Sequence, residues 1–277
     1  MKSFRGFLPL ILLYLAVMRT GLALDISVSK DGWGNVTTEE IQKLLLSTAQ
    51  VFIPCTKKLS NQTIVVLSTT SSPRIFYKLS ENGAHRISLS AKDRHWCQYA
   101  FQFSHELAHL ICGSKKGDQT NQWFEESLGE AASLYALLEL SKTWETSPPY
   151  PSWQSYAKEF KKYRNQRIHH ASYPDNFQLS LWYKENRTLL SKNPNLRKQN
   201  LWIALNMLGL IEKNPGTAWS ACGWLNQSKT DQPKQFEQYI RDWKSACPKM
   251  PQRKFVEDIM DLFGIAVPRE KNESGLF

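Results

Sequence analysis

The amino-acid sequence predicts an α+β fold: a small mixed sheet with one helix that carries the chemistry, followed by a mainly helical C-terminal part. Three observations lead there. Short β-branched or alternating runs occupy the chain before Trp96, with Thr63-Ile64-Val65-Val66-Leu67 the clearest of them. From Trp96 onward the apolar residues recur at helix spacing. The chain has 277 residues, enough for one large domain or two small ones, and its 42% hydrophobic and 22% charged residues are the balance of a globular protein.

Residues 1–23 read as a secretory leader. Lys2 and Arg5 precede the apolar run Phe7–Val17, and Gly21-Leu22-Ala23 supplies small residues for cleavage. The apolar run is shorter than the roughly 20 residues that a membrane span needs, and Arg19 closes it. No later segment is long and apolar enough to span a bilayer, so the mature chain is expected to be secreted or periplasmic. The expected organisation is a leader over 1–23, a metal-binding domain over 24–146 and a helical region over 147–277.

The elements follow in order. Asp25–Ser29 has the pattern of a short strand, and Asp31-Gly32-Trp33-Gly34 that of a turn. Thr37 or Thr38 can cap a helix running to Val51, with Glu39 and Glu40 in its first turn, where the helix dipole favours acids. The continuous run Thr63–Leu67 predicts a strand buried on both faces. Pro73 separates it from a second strand at Ile75–Lys78, and Glu81-Asn82-Gly83 turns the chain into His85–Ser90. There His85, Ile87 and Leu89 alternate with Arg86, Ser88 and Ser90, which predicts a half-exposed strand.

Tyr99–Ile111 and Trp123–Leu140 are predicted helices, joined by the polar stretch Gly113–Gln122. Ser147-Pro148-Pro149-Tyr150-Pro151 breaks the chain. Helices are then expected near 152–165, 176–190, 198–212, 215–226, 232–246 and 252–263, with Trp202, Trp219, Trp224 and Trp243 in their core.

The formal charge is +10, and loss of Lys2, Arg5 and Arg19 with the leader leaves +7. A basic exterior suits contact with an anionic surface such as cell wall. No stripe of aromatics interleaved with basic residues reads as a platform for specific nucleic-acid binding. All five cysteines, Cys55, Cys97, Cys112, Cys222 and Cys247, lie in the mature part. An odd count leaves one unpaired in an oxidising compartment, and Cys222 with Cys247 is the expected pair. Asn35, Asn61, Asn186, Asn226 and Asn272 head Asn-x-Ser/Thr sites, which matter only where secreted proteins are glycosylated.

The chemistry is concentrated in His105-Glu106-Leu107-Ala108-His109. On a helix, residues four apart lie one above the other, so both imidazoles face one point. Glu106 sits one step round, within reach of a metal-bound water without being a ligand. A catalytic zinc wants three protein ligands and an open position. The third is offered by Glu125-Glu126-Ser127-Leu128-Gly129-Glu130. Glu126 and Glu130 share a face, so Glu126 can ligate while Glu130 accepts the outer N–H of a ligating histidine. Glu125 is the rival ligand, pointing about a quarter turn away.

HELAH followed by a tryptophan-bearing helix with Glu-x-x-x-Glu resembles the gluzincin metallopeptidases, the class of thermolysin and the zinc aminopeptidases. The resemblance covers roughly residues 60–140. It implies a zincin-like domain with His105, His109 and Glu126 on Zn²⁺, Glu106 as general base and Glu130 in support. It also implies a sheet edge that pairs with an extended peptide substrate, for which His85–Ser90 is the candidate. Only 16 residues separate His109 from Glu126, a shorter connection than that class usually carries. No third histidine follows at metzincin spacing. The absence of a Gly-Ala-Met-Glu-Asn motif favours an endopeptidase.

The expected function is therefore hydrolysis of peptide bonds in a peptide or protein. A cell-wall peptide hydrolase and a non-catalytic zinc-binding interaction module are the alternatives, and the presence of Glu106 argues against the last. A donor for the developing oxyanion is also needed. His169, His170 and Tyr173, with Tyr156 and Tyr163 before them, cluster after the proline-rich break, though a basic helix end with surface histidines explains them as well.

Overall fold

A computed structural model describes residues 24–113, 119–227 and 232–266, so the leader and Asn272 lie outside the described residues. The fold is α+β. Strand β1 (Asp25–Val28) leads into helix α1 (Thr38–Gln50), followed by β2 (Thr63–Ser68), β3 (Arg74–Phe76) and β4 (His85–Leu89). The helices α2 (Trp96–Cys112), α3 (Gln122–Thr143), α4 (Ala157–His169), α5 (Leu179–Lys192), α6 (Arg197–Lys213), α7 (Pro215–Cys222), α8 (Phe236–Ala246) and α9 (Met250–Leu262) complete it. Among the described residues no helix is long and apolar enough to cross a membrane.

Helix α1 starts where the sequence says it should. The Thr37 hydroxyl accepts from the Glu40 N–H and the Glu40 carboxylate accepts from the Thr37 N–H, a closed capping box at 3.1 and 3.0 Å. Its buried residues Ile41, Leu44, Leu45, Thr48 and Ala49 form one stripe.

The sheet has the order β1-β2-β4-β3. β1, β2 and β4 are parallel, and β3 runs antiparallel beside β4, pairing Ile75 with Ile87. Two expectations are corrected here. The strand at His85–Ser90 is not the sheet edge: β3 lies outside it, and Ile87, Ser88 and Leu89 are buried. β2 is central, yet only Ile64 and Val66 are buried while Thr63 is exposed and Val65 half-buried. Among the described residues the sheet is packed by α1, against β1, and by α2, against β3 and β4.

Helix α2 lies between the sheet and α3. Its buried Tyr99, Ala100, Phe103, Leu107 and Ile111 follow the helical period. Gly113 closes it in the left-handed conformation, φ 70°, a terminus that favours glycine. The Gln102 side chain registers it against the sheet, its Oε1 accepting from the Ser90 and Ala91 N–H groups at 2.9 and 3.1 Å.

Helix α3 is buried around most of its circumference and packs on α2, α4 and α6. One continuous apolar core runs from Leu24 to Ile265 and so joins the sheet region to the C-terminal helices. Trp202, Trp219 and Trp243 are in it as expected, whereas Trp224 is half-buried.

Candidate metal centre

His105 and His109 leave α2 on the side facing the start of α3, as residues one turn apart must. Glu126 comes to meet them. Its Oε2 lies 3.1 Å from His105 Nε2, and its Oε1 lies 3.6 Å from His109 Nε2. The three side chains offer ligand atoms that all lie within 4.8 Å of one another. Two atoms bound tetrahedrally at zinc distances would sit about 3.4 Å apart, so the observed spacings bracket what one ion needs. The group could hold a metal ion, and its two imidazoles and one carboxylate are a donor set of the kind zinc takes.

The surroundings favour positive charge there. Burial opposes protonation of His105, but its hydrogen bond to the Glu126 carboxylate and the charge of Glu106 outweigh it and raise its pKa. Burial likewise opposes charge on His109, and Glu125, Glu126 and Glu106 together raise it to about 9. Partial burial opposes charge on Glu126 too, yet its contacts with His105 and His109 hold its carboxyl below the usual range. Gln122, one turn earlier on α3, reaches Glu126 Oε1 at 3.4 Å.

Glu106 is 5% exposed and sits beside this group without joining it. Burial pushes its carboxyl above the usual range and the Glu126 charge adds to that. The two imidazoles and a hydrogen bond from the Ile75 N–H pull the other way without cancelling it. The link to Ile75 connects Glu106 to the edge strand β3.

Glu125, expected as the rival ligand, and not Glu130 stands beside the outer nitrogen of a histidine. Glu125 Oε2 lies 3.7 Å from His109 Nδ1, the outer nitrogen of that ring, so Glu125 is the carboxylate that backs a histidine. Glu130 faces Arg167 of α4 at 3.6 Å, and its Oε2 has no hydrogen-bond partner. What backs His105 is Gly129. A Cβ there would lie 2.7 Å from His105 Cε1, 2.8 Å from Nε2 and 2.9 Å from Cδ2. Only a residue without a side chain leaves room for the ring.

The residues considered as oxyanion donors have other partners. Tyr156 Oη receives the Cys97 thiol at 3.6 Å, Tyr163 packs edge-on against Phe101, and Tyr173 Oη donates to the Trp202 carbonyl at 3.4 Å. His169 and His170 are exposed at the end of α4. His85 bonds Gln62 at 3.1 Å, and burial lowers its pKa. His95 precedes α2 as its N-terminal flanking residue.

The sequence reading missed Tyr77. It follows β3 directly and is 47% exposed. Burial raises the pKa of its hydroxyl, and the charges of Glu125, Glu126 and Glu106 raise it further. Its only signal in the sequence is its place two residues after Ile75 on the strand that leaves Pro73. All five cysteines are free thiols, including the expected pair Cys222 and Cys247. Comparison with protein-family models, with curated proteins and with solved structures gives no match.

Proposed function

We propose that this chain is a secreted zinc-dependent peptidase whose general base is Glu106. The observation that carries the reading is a buried carboxylate with a raised pKa beside a cluster of two imidazoles and one carboxylate. A purely structural metal site has no use for such a group, since an unpaired acid held out of water is costly. Zinc bound by His105, His109 and Glu126 would supply a Lewis acid that activates water and polarises a carbonyl.

The remaining steps belong to this chain's own residues. Glu106 accepts a proton from the attacking water as the new C–O bond forms. It returns that proton to the amide nitrogen as the C–N bond breaks, leaving an amine and a carboxylic acid, which then loses its remaining proton to solvent or to the amine. The Tyr77 hydroxyl, kept protonated by the carboxylates around it, donates to the oxygen on which charge develops. Among the described residues β3 pairs with β4 alone, so its outer edge can receive an extended peptide as one more strand.

The test compares wild type, Glu106→Gln and His105→Ala for metal content, thermal melting and turnover of a mixed peptide library. Glu106→Gln should keep metal and fold while turnover drops by about 10²–10⁴-fold, because an amide copies the shape of the carboxylate but accepts no proton. His105→Ala should lose metal and activity together. A wild-type protein without stoichiometric metal, or with activity indifferent to chelators, would sink the proposal. Stoichiometric zinc with no cleavage across the library would replace it with the binding-module reading.

A further inference from the structure

Helix α4 carries charge that the metal centre does not use. It has one acid, Glu159, against Lys158, Lys161, Lys162, Arg164 and Arg167. The two arginines turn inward and are matched. Arg164 bonds Glu212 of α6 at 2.7 Å, and Arg167 faces Glu130 of α3 at 3.6 Å while lying over the Phe101 ring of α2. The three lysines are exposed. Lys162 stands 3.9 Å from Glu159, and among the described residues Lys158 and Lys161 belong to no ion pair. Where this helix packs, its charges are balanced; where it meets solvent, they are left over.

The same face offers more than charge. Steps of three and four residues lead from Lys158 to Lys161 and Lys162, then to Asn165 and Gln166, and on to His169. These exposed side chains form one stripe, about 16 Å long at 1.5 Å per residue. They line an open hollow of about 640 Å³, a volume within the range of ligand sites.

The make-up of the stripe discriminates between polyanions. An amphipathic helix holds a membrane surface through apolar side chains as well as charge, and none of the exposed large hydrophobics lies on α4. Single-stranded nucleic acid is held by rings that stack its bases, but Phe160 is buried and Tyr163 is turned edge-on to Phe101. What the stripe does present is point charges beside amides, which can pair with acidic groups and with hydroxyls along one chain.

We propose that the exposed face of α4 binds a linear acidic glycan, with Lys158, Lys161 and Lys162 on its acidic groups and Asn165 and Gln166 on its hydroxyls. Arg167 ties the opposite face of α4 to Phe101 and Glu130, on the two helices of the metal centre, so the bound chain rests on a helix joined to that centre. A lysine face that is merely solvated is the opposite outcome of the test.

The experiment titrates the purified full chain with a fluorescent oligogalacturonate at about 0.15 M salt, where charges more than about 8 Å apart are largely screened. Neutral dextran, oligo-dT and phosphatidylglycerol vesicles are run beside it. Replacing Lys158, Lys161 and Lys162 together by Gln should leave melting unchanged and weaken glycan binding by about 10-fold or more, since one exposed charge pair contributes up to about 5-fold. The control removes the same charge elsewhere, with Gln for the exposed Lys142, Lys192 and Lys254, and should bind as wild type does. Asn165→Ala combined with Gln166→Ala loses no charge and should still weaken binding. Equal weakening by both lysine triples, unchanged affinity in the amide variant, or no binding by wild type overturns the proposal. So does oligo-dT or vesicle binding as tight as that of the glycan. No readout needs bound metal or peptide turnover, so failure here and failure of the proposed function are told apart.

Discussion

Replacing Gly129 by alanine should weaken metal binding even though it improves the helix that carries it. Gly129 is inside α3, where glycine costs about 1 kcal/mol relative to alanine, so the propensity effect alone is stabilising. The contact acts the other way. The new methyl would stand 2.7–2.9 Å from three atoms of the His105 ring. Carbon atoms prefer about 3.5–4.0 Å, so the overlap is roughly 1 Å. Helix α3 cannot simply retreat, because the Ser133 hydroxyl, one turn on, donates to the Phe101 carbonyl of α2 at 2.8 Å. The ring must move instead, and overpacking of this kind costs about 1–3 kcal/mol. Metal sites hold ligand distances to about 0.2 Å, so a shift near 1 Å should lower zinc affinity by at least 10–100-fold. The assay is competition for zinc against a chromogenic chelator, with melting curves recorded with and without EDTA. Gly209→Ala is the control: nothing lies within 4 Å of a Cβ there, so it should stabilise by about 0.4–1 kcal/mol and leave zinc affinity alone. If Gly129→Ala binds zinc as wild type does and melts higher, the cradle argument is wrong.

Glu126→Gln should lose more metal than Glu125→Gln, because Glu126 faces both imidazoles while Glu125 backs only the outer nitrogen of His109; metal titration of the two variants gives the order, and the reverse order would reassign the ligand. Tyr77→Phe should leave metal content and melting unchanged while kcat falls by about 10²–10³-fold, the usual loss for one oxyanion donor; unaltered kcat would remove Tyr77 from the chemistry. The Glu40 carboxyl is held below its usual range: burial opposes this, but the Thr37 N–H and Arg94 outweigh it. A lowered folded-state pKa means that its stabilisation is present above the unfolded value of about 4.3 and is lost as pH falls through the folded value. Wild type should thus melt above Glu40→Gln at pH 7, with the gap closing as pH falls through the lowered folded value, and a gap independent of pH would exclude the mechanism.

Local periodicity explains what could be read from the sequence. His105 and His109 come together because one helical turn brings them together, whatever else the fold does. The helix ends were legible for the same reason: Thr37 caps α1, and Asn214 followed by Pro215 opens α7 with the Asn214 side chain accepting from the Thr217 N–H at 3.2 Å. Partner choice across the fold is a different matter. Glu126 was expected at the centre because Glu130 shares its face, and Glu126 is indeed brought to both histidines. Yet Glu130 turns to Arg167, which lies 37 residues further on in another helix. The strand near Ile75 was legible, but its place outside β4 was not, because strand order is set by the topology and leaves no mark in the local pattern. Gly129 carried no visible mark, since the need for a missing side chain is set by the ring it faces.

The C-terminal helices resemble nothing by motif, but they account for where the third ligand stands. The two helices of the centre are anchored from opposite ends of the chain. α2 is registered by the sheet, through Gln102 to the Ser90 and Ala91 N–H groups. α3 begins with Trp123 and Phe124, buried at 2% and 0% exposure immediately before the two glutamates. Their rings pack on Phe236 of α8 at 4.6 and 5.1 Å and on Phe263 just past α9 at 5.9 and 6.0 Å, with Tyr183 of α5 stacked on Trp123. Aromatic packing of this kind has preferred geometries and resists sliding. The sheet therefore fixes the histidines and the C-terminal aromatics fix Glu126, and the 3.1 Å between His105 and Glu126 is where the two sets of constraints meet. A chain cut after α3 would keep the whole motif and lose what holds its third ligand in place.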